Sequence, residues 1–457
     1  MVSDTIAAIS TALSSSGIGI VRISGDNAFD VINRIFVTSD NKFITKADSH
    51  TIHYGHIADG DEIIDEVLVM VMAGPRSFTA QDTVEINCHG GMLVVRRVLE
   101  TALKHGARPA EAGEFTKRAF LNGRIDLAQA EAVIELINSK NDYARKSSLR
   151  QIDGEVSEIV KELRKRILYE IAYIESALDD PEHISLDGYA KKLEGNVVDI
   201  EKKISGLISS ADNGRIIKEG IKTVILGRPN AGKSSLLNLL LGEERAIVTD
   251  IAGTTRDTLE ENILIDGISL NVVDTAGIRE SEDIIEQIGV KKAFASADDA
   301  DLILYVIDSS DKLDENDKEI IEHIKDKKKI IILNKSDLGV VTECDYIKEK
   351  TGQDAIVFSA KTKEGYTALL DKIRELFIEG SIGFNDEIYI TNARHKSALM
   401  EADDSLKQVL ASIEAGMPED FFSIDLMNAY AKLGLIIGES VEDDLVNEIF
   451  SKFCMGK

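Results

Sequence analysis

The sequence has no tryptophan, five prolines and three cysteines among its 457 residues. Cys88, Cys344 and Cys454 are far apart and form no metal-like pair, which argues against a disulfide framework or a zinc ribbon. No run of about 18 apolar residues occurs, so no membrane-spanning segment is predicted. The first residues lack the basic stretch of a secretory signal. We therefore predict a cytoplasmic protein that is not in a membrane.

Positive charge is also scarce, because 53 lysines and arginines stand against 80 aspartates and glutamates, a formal net charge of −27. Neutralising nucleic-acid phosphates requires lysine and arginine, so tight, sequence-independent nucleic-acid binding by the whole chain is not expected. A local basic patch, or a basic partner that carries the nucleic acid, stays open. The composition, 44% hydrophobic and 29% charged, is that of a globular protein of several domains.

The sequence pattern changes three times along the chain. Residues 1–122 alternate β-rich and helical runs, which predicts an α+β domain, and a helical period follows in 123–216. In 217–381 strand–helix alternation predicts a largely parallel sheet, with NILIDGISLNVVD as an antiparallel hairpin at its edge. Residues 382–457 are helical again. We predict a multidomain α/β and α fold in which an α/β domain is inserted into a helical domain.

The strongest motif is a phosphate-binding loop. The apolar run KTVIL leads into Gly227-Arg-Pro-Asn-Ala-Gly232-Lys233-Ser234, and the helical pattern SSLLNLLLG follows. This is G-x-x-x-x-G-K-S in the strand–loop–helix context that the motif requires. The glycines permit a tight loop whose N–H groups cradle phosphate oxygens, Lys233 supplies charge to the β- and γ-phosphates, and Ser234 offers a hydroxyl to Mg²⁺.

Later motifs predict that the base is guanine. LNKSDL places Asp337 after an apolar strand, where an aspartate accepts hydrogen bonds from the N1–H and 2-amino groups of guanine. FSAK follows the next strand and matches the loop that donates a backbone N–H to the guanine oxygen. Since the motifs stand in order over about 135 residues, we predict a GTPase of the translation-factor-like class. The predicted GTP-binding residues are Gly227, Asn230, Ala231, Gly232, Lys233, Ser234, Ser235, Thr249, Asp250, Ile251, Ala252, Gly253, Thr254, Thr255, Asp274, Thr275, Ala276, Gly277, Asn334, Lys335, Asp337, Ser359, Ala360 and Lys361.

Two departures from the Ras pattern concern hydrolysis. Ile278 follows DTAG where a glutamine usually positions the attacking water. Glu286 is a candidate for that role, and a solvated acidic face is the alternative explanation of its neighbourhood. Asn230 and the TDIAGTT loop resemble potassium-selective GTPases, in which an asparagine and loop carbonyls hold K⁺ in place of an arginine finger. Arg256 acting as such a finger in cis is the competing interpretation.

Five further stretches carry a resemblance to a known family: DTIAAIST, GIGIVRISG, SFTAQDTVEINCHGG, RPAEAGEFTKRAFLNGRIDLAQAEAV and IFSKFCMGK. With the nucleotide motifs, they make the chain similar to the MnmE (TrmE) family of tRNA-modification GTPases. The resemblance implies an N-terminal tetrahydrofolate-binding-like domain, a central helical domain and an inserted GTPase domain. It also implies a homodimer through the N-terminal domains, whose GTPase domains meet when K⁺ and GTP are bound.

The resemblance implies an activity and a set of ligands. The family acts with the flavoprotein MnmG, as a heterotetramer, on the wobble uridine of certain tRNAs. It adds an aminomethyl or carboxymethylaminomethyl group at C5, with 5-formyl- or methylene-tetrahydrofolate as the one-carbon source. Residues matching folate contacts are Arg22, Glu85, Arg124 (lysine in many members) and Lys457. Those matching K⁺ ligands are Asn230, Thr249, Ile251 and Thr254, those matching Mg²⁺ ligands are Ser234 and Thr255, and Glu286 matches the water-positioning glutamate.

The sequence closes with SKFCMGK, behind an amphipathic helical pattern. Val441, Leu445, Ile449, Phe450 and Phe453 are predicted to form its buried stripe. Cys454 is then either a small apolar residue at a helix end or a catalytic nucleophile that adds to uracil C6. In the family this segment points at the folate site, in the same or the partner subunit.

Two other functions share part of this pattern. Ribosome-assembly GTPases carry PNAGKSS and GTTRD, but usually with a basic RNA-binding module after the GTPase domain, where this chain has the acidic, helical EADDSLKQVLASIEAGMPEDFFSIDL. A folate enzyme with a vestigial GTPase domain conflicts with the intact nucleotide motifs. His50, His53 and His56 alternate faces on a strand and predict no metal site, whereas His89 fits a pocket or a turn equally well.

Overall fold

The computed structural model describes residues 4–38, 47–243, 261–265, 267–273, 297–342, 344–379, 389–439, 443–453 and 456. Its internal contacts form two compact units. The first unit comprises Met1–Ile137, Ser148–Glu201 and Glu401–Lys457, and the second Asn138–Ser147 and Lys202–Met400. The domain boundaries near 122, 216 and 381 stay predictions. Within the described ranges, no helix is both long and apolar enough to cross a membrane.

The elements follow the predicted alternation along the chain. The strands are β1 (Ile6–Ile9), β2 (Ile18–Ser24), β3 (Phe36–Val37), β4 (Thr51–Asp59), β5 (Glu62–Met72), β6 (Thr83–His89), β7 (Arg108–Pro109), β8 (Ile221–Leu226), β9 (Glu261–Ile265), β10 (Ile268–Val272), β11 (Leu302–Asp308), β12 (Lys329–Asn334) and β13 (Ile356–Val357). The helices are α1 (Ala28–Ile35), α2 (Met92–Lys104), α3 (Glu114–Leu121), α4 (Leu127–Ile137), α5 (Asp142–Ile152), α6 (Glu155–Asp179), α7 (Tyr189–Glu219), α8 (Lys233–Glu243), α9 (Glu315–Ile324), α10 (Cys344–Thr351), α11 (Tyr366–Arg374), α12 (Ala393–Glu414), α13 (Glu419–Ile437) and α14 (Asp443–Ser451).

The first unit contains a mixed sheet and helices. Its strand order is β3-β4-β5-β6-β2-β1-β7, with antiparallel neighbours except for the parallel pair β1–β7. Helices α1 and α2 cover the sheet, burying residues such as Val31, Ile32 and Val98 against Ile23 and Ile86. The α+β character predicted for the first 122 residues is therefore present.

The helical part of the first unit is held by one long pair. Helix α6 packs along α13, where the guanidinium of Arg164 lies 4.0 Å from the ring centre of Tyr430 and beside Gly434. On α4, Leu127 and Ala130 are fully buried, whereas Ile137, the last residue of the helix, is 43% exposed.

The predicted buried stripe near the end of the chain is confirmed at Phe450 and Phe453 and wrong at Leu445. Val446, Phe450 and Phe453 are buried together, whereas Leu445 is 36% exposed. Spacings of four and three place these three residues on one helical face, and the residue before Val446 points about 100° away from them. Ile449 is partly buried against the cluster, and Val441 lies outside the described residues.

The second unit is an α/β layer structure. Its strand order is β13-β12-β11-β8-β10-β9, parallel except for the antiparallel edge pair β9–β10, which confirms the predicted hairpin. Two separate apolar clusters involve alternate residues of the central strands, so both faces of the sheet are covered. The loop after β8 and the loops after β11 and β12 follow carboxyl ends of neighbouring parallel strands, the edge where such folds bind ligands.

Candidate functional site

The phosphate-binding loop joins β8 to α8 with the conformation that its glycines permit. Gly227, Asn230 and Gly232 have φ values of 148°, 63° and 97°. A Cβ on Gly227 would collide with the Val306 carbonyl oxygen, and one on Gly232 would collide with the Asn334 side chain. Space as well as backbone conformation therefore requires glycine at both positions.

Lys233 lies across this loop. Its ammonium donates to the carbonyl oxygens of Gly227 and Arg228, each at 2.8 Å. Burial lowers the pKa of Lys233. The amino end of α8 adds partial positive charge at the same place, with Ser234 in its first turn. The loop thus forms a concave, positively charged surface suited to phosphate oxygens.

One buried amide connects the three nucleotide motifs. The Nδ2 of Asn334 donates to the Ala231 carbonyl at 2.9 Å, and its Oδ1 accepts from the Ala360 backbone N–H at 3.1 Å. Ser359 donates to Asp337 at 2.9 Å, and the Lys361 ammonium lies 3.9 Å from the other carboxylate oxygen. The phosphate-binding loop and both base-recognition motifs are therefore brought together.

The sequence reasoning missed Asp308, which ends strand β11. The Lys335 ammonium lies 2.6 Å from its carboxylate, and Lys335 itself has a positive φ of 65°. Burial raises the pKa of Asp308, but hydrogen bonds from Lys335 and Ser310 outweigh burial and hold the pKa below its usual value. The signal was the polar run DSS directly after the apolar run LILYVI.

Several predicted site residues lie outside the part of the chain that the structure describes: Thr249, Asp250, Ile251, Ala252, Gly253, Thr254, Thr255, Asp274, Thr275, Ala276, Gly277, Glu286, Cys454 and Lys457, together with the alternative finger Arg256. Among the metal-binding candidates, Asn230 and Ser234 are described. Asn230 is exposed at the tip of the loop, and Ser234 is exposed at the start of α8. Both positions suit oxygen ligands for a cation beside phosphate.

A second cluster of predicted residues forms in the first unit. Arg22 and Glu85 are opposite each other on β2 and β6, with Nε and Oε1 2.8 Å apart, and only 14% and 13% of their side chains are exposed. The guanidiniums of Arg22 and Arg124 lie 5.7 and 5.1 Å from the ring centre of Phe78. Arg124 also donates to the Phe78 carbonyl at 3.0 Å. Phe78, in the SFTA stretch, was not predicted as a site residue.

Gly456 joins these residues from the far end of the sequence. Its carbonyl oxygen accepts from Nη1 of Arg22 at 3.0 Å and from the hydroxyl of Ser10 at 3.1 Å. With φ at 135°, Gly456 packs so closely that an added Cβ would collide with the Ile9 carbonyl. We call Arg22, Phe78, Glu85, Arg124 and Gly456 the Arg22 cluster. Gly456 therefore contacts the predicted folate residue Arg22 within one chain.

His89, for which a pocket and a turn were both open, is the exposed last residue of β6. Its Nδ1 lies 2.8 Å from a carboxylate oxygen of Asp65. The hydrogen bond to Asp65 raises the pKa of His89. This contact joins the end of β6 to the neighbouring strand β5.

Two family models together match nearly the whole chain. Residues 5–124 match the GTP-binding protein TrmE N-terminus, and residues 127–454 match the MnmE helical domain. The chain belongs to the MnmE family. Its relatives include the tRNA modification GTPases MnmE of Lachnoclostridium phytofermentans (61% identical, 100% of both chains), Clostridioides difficile (48%, 100% of both) and Enterococcus faecalis (47%, 99% of this chain and 98% of that one).

Membership of the MnmE family settles several predictions from the sequence. It confirms the resemblance, the multidomain α/β and α class and the assignment to an enzyme class, the tRNA modification GTPases. It also contradicts the ribosome-assembly alternative, since the match includes the first 124 residues, which that alternative leaves unexplained. The residues of both clusters keep their roles as predictions.

Proposed function

We propose that this GTPase depends on K⁺ and acts with the flavoprotein MnmG on the wobble uridine of certain tRNAs. In this proposal a tetrahydrofolate supplies one carbon for an aminomethyl or carboxymethylaminomethyl group at C5. The observation that carries the proposal is the Arg22 cluster. A protein that only switches between nucleotide states does not require the largely buried Arg22–Glu85 ion pair, whose arginine also binds the Gly456 carbonyl.

The nucleotide site supports hydrolysis by positioning and electrostatics. The loop N–H groups and Lys233 bind the β- and γ-phosphates, and Asp337 recognises guanine. Ser234 and Thr255 would hold Mg²⁺, and Asn230, Thr249, Ile251 and Thr254 would hold K⁺. These cations supply positive charge beside the phosphates when they are bound. Glu286 orients the attacking water in this proposal.

The Arg22 cluster supports folate binding through complementary charge. The Arg22 guanidinium donates to one carboxylate oxygen of Glu85 and so holds the carboxylate in one orientation. In this orientation the carboxylate accepts a pair of hydrogen bonds from a pterin edge. Arg124 and Lys457 offer cations to a glutamate tail, and Phe78 adds an aromatic face.

We also propose that Cys454 is the nucleophile, since its sequence position is two residues from Gly456. Its thiolate adds to uracil C6, and the resulting C5 enolate forms the new bond to carbon. Loss of the C5 proton to a base then re-forms the C5=C6 double bond and expels the thiolate unchanged. Full modification activity of a Cys454→Ser variant would contradict this role.

In the proposed dimer of N-terminal domains, K⁺ controls GTP hydrolysis at both nucleotide sites. GTP hydrolysis measured in KCl and in NaCl tests the cation requirement. We expect hydrolysis to be at least about tenfold faster in K⁺ than in Na⁺. This acceleration is smaller than the ~10³-fold or more that an arginine finger supplies. Equal rates in the two salts would refute the K⁺ assignment.

Equilibrium dialysis of the whole protein with 5-formyl-tetrahydrofolate tests the folate assignment. We expect saturable binding that Arg22→Gln abolishes. The matched control is Arg34→Gln, because Arg34 is in the same unit and donates to the His105 carbonyl away from the Arg22 cluster. Absence of wild-type binding at folate excess would count against the proposed function.

A further inference from the structure

Arg228, the second residue of the phosphate-binding loop, directs its side chain to the start of helix α9. Its Nε lies 3.1 Å from Asp317 Oδ2, and its Nη1 lies 3.3 Å from Asp314 Oδ2. Its Nη2 donates to the Lys312 carbonyl at 3.4 Å. All three nitrogens have an acceptor, so the planar guanidinium is held in one orientation.

The main acceptor, Asp317, is itself rigid. Its side chain is 1% exposed and accepts from the Tyr305 hydroxyl at 2.6 Å and from the Asp314 backbone N–H at 3.1 Å. The Asp314 side chain in turn accepts a hydrogen bond from the Asp317 backbone N–H at 2.8 Å. The two hydrogen bonds form a capping box at the start of α9. A buried carboxylate with this many donors has little freedom to move.

Tyr305 connects this network to the strand from which the loop emerges. It is fully buried on β11, opposite Leu226, the last residue of β8. Gly227 follows immediately and packs against the Val306 carbonyl. The first residues of the phosphate-binding loop are thus attached to β11 through the backbone and to α9 through Arg228.

The first two residues of the loop also hold the Lys233 side chain in place. Lys233 donates to the carbonyl oxygens of Gly227 and Arg228, and Asn230 comes two residues later. A shift of the Arg228 backbone therefore moves the two acceptors that place the phosphate-binding ammonium. It also moves the loop tip that carries the predicted K⁺ ligand.

We propose that Arg228 is a positioning residue for GTP hydrolysis, acting through Asp317 and Tyr305 to fix the phosphate-binding loop. It touches neither the nucleotide nor the attacking water in this role. The inference deepens the proposed function and rests on GTP hydrolysis at this site. Lysine offers one point charge in place of a fork and restores the arrangement only in part.

The test compares variants of the whole protein by steady-state GTP hydrolysis in KCl, with the midpoint of thermal unfolding as a check on folding. We expect Arg228→Met to lower kcat/KM by about tenfold to a hundredfold, with Arg228→Lys intermediate. Tyr305→Phe, which removes one hydroxyl, should give a smaller decrease. We also expect Arg228→Met to raise the K⁺ concentration needed for half-maximal activity.

Arg215→Met is the matched control. Arg215 lies in the same unit and pairs with Asp301 at 2.5 and 3.2 Å, at the beginning of β11 and thus at the opposite end of the strand from Asp308. We expect its kinetics to match the wild type. Arg228→Met kinetics equal to those of Arg215→Met would overturn the inference. Should Arg228→Met not fold, Tyr305→Phe decides, and a wild-type rate and K⁺ response in that variant would overturn it. A wild-type protein without GTP hydrolysis would instead refute the proposed function.

Discussion

The nucleotide site and the Arg22 cluster are built from similar charged groups but are assembled differently. Each part of the nucleotide site comes from a short motif that follows the end of a parallel strand. The Arg22 cluster instead depends on contacts across the first unit, and the bond from Arg22 to Gly456 spans 434 positions in the sequence. Short motifs carry their geometry with them, whereas a cluster of distant residues exists only when the tertiary fold is intact.

The comparison therefore predicts two kinds of response to substitution. Changes in the nucleotide site should alter chemistry with little effect on stability. Changes around the Arg22 cluster should alter stability, folate binding or both, while nucleotide recognition is retained.

The largest expected effect is on base selectivity. Asp337→Asn replaces an acceptor with an amide that can pair with xanthine, so preference should move from GTP to xanthosine triphosphate. The change should approach the ~10⁴-fold discrimination that hydrogen-bonding sites achieve. Competition between the two nucleotides for binding measures it, and unchanged guanine selectivity would show that Asp337 does not read the base.

Arg118→Met tests a buried ionic network in the unit that carries the Arg22 cluster. Arg118 is 3% exposed and lies 2.9 Å from Glu114 and 2.6 Å from Asp4. Removing Arg118 leaves the buried Glu114 carboxylate paired with Arg108 alone, so the free energy of unfolding should fall by about 1.5–3 kcal/mol, the cost of a lost hydrogen bond to a charged group. The control Arg97→Met removes an exposed pair with Glu62 and should cost about 1 kcal/mol or less. Equal urea-unfolding curves for both variants would contradict the account.

Gly456→Ala tests whether docking of the chain's end matters. The substitution places a Cβ against the Ile9 carbonyl at a φ of 135°, and we expect folate affinity to fall by about tenfold, the equivalent of ~1.4 kcal/mol of strain. GTP hydrolysis should be unchanged. Gly416→Ala is the control, because Gly416 also has a positive φ, 63°, but nothing lies within 4 Å of its added Cβ. Folate affinity that is equal in the two variants would show that the docked end is dispensable.

The pH dependence of stability should reflect Glu114. Burial raises its pKa, but hydrogen bonds from Arg108, the Glu111 backbone and Arg118 outweigh burial and lower the pKa below its ordinary value of 4.5. Its contribution to stability is therefore complete above that pH and is lost as the pH falls from 4.5 through the folded-state pKa. Urea unfolding at several pH values should show a shallower acid decline for Glu114→Gln than for the wild type. Parallel declines would mean that Glu114 has no such role.

The last prediction concerns packing of the helix that precedes Gly456. Val446→Ala removes buried methyl groups and should lower the free energy of unfolding by about 1–2 kcal/mol. Leu445→Ala should change it by less than about 0.5 kcal/mol, since Leu445 is partly exposed. A larger loss of stability for Leu445→Ala than for Val446→Ala would instead support the buried stripe that the sequence predicted.

The sequence predicted the parts of the fold that depend on local pattern. The hairpin β9–β10, the phosphate-binding loop and the strand–helix alternation follow from turn residues and hydrophobic period, and the structure contains them. The Arg22–Glu85 pair came from family resemblance, because pairing of β2 with β6 is a tertiary fact. Phe78 and the Arg228–Asp317–Tyr305 network were missed for the same reason, since no spacing rule connects residues on different strands and helices. Asp308 did have a local signal, the polar run directly after an apolar strand.

The most direct test of the central claim is nucleoside analysis of tRNA after incubation with this protein, MnmG, GTP, K⁺, methylene-tetrahydrofolate as the carbon source and ammonium as the nitrogen source. The account predicts a C5-substituted wobble uridine only when every component is present, with loss of product on replacing K⁺ by Na⁺, omitting folate, or using Arg22→Gln. Equal product without GTP hydrolysis, or without the folate, would contradict it.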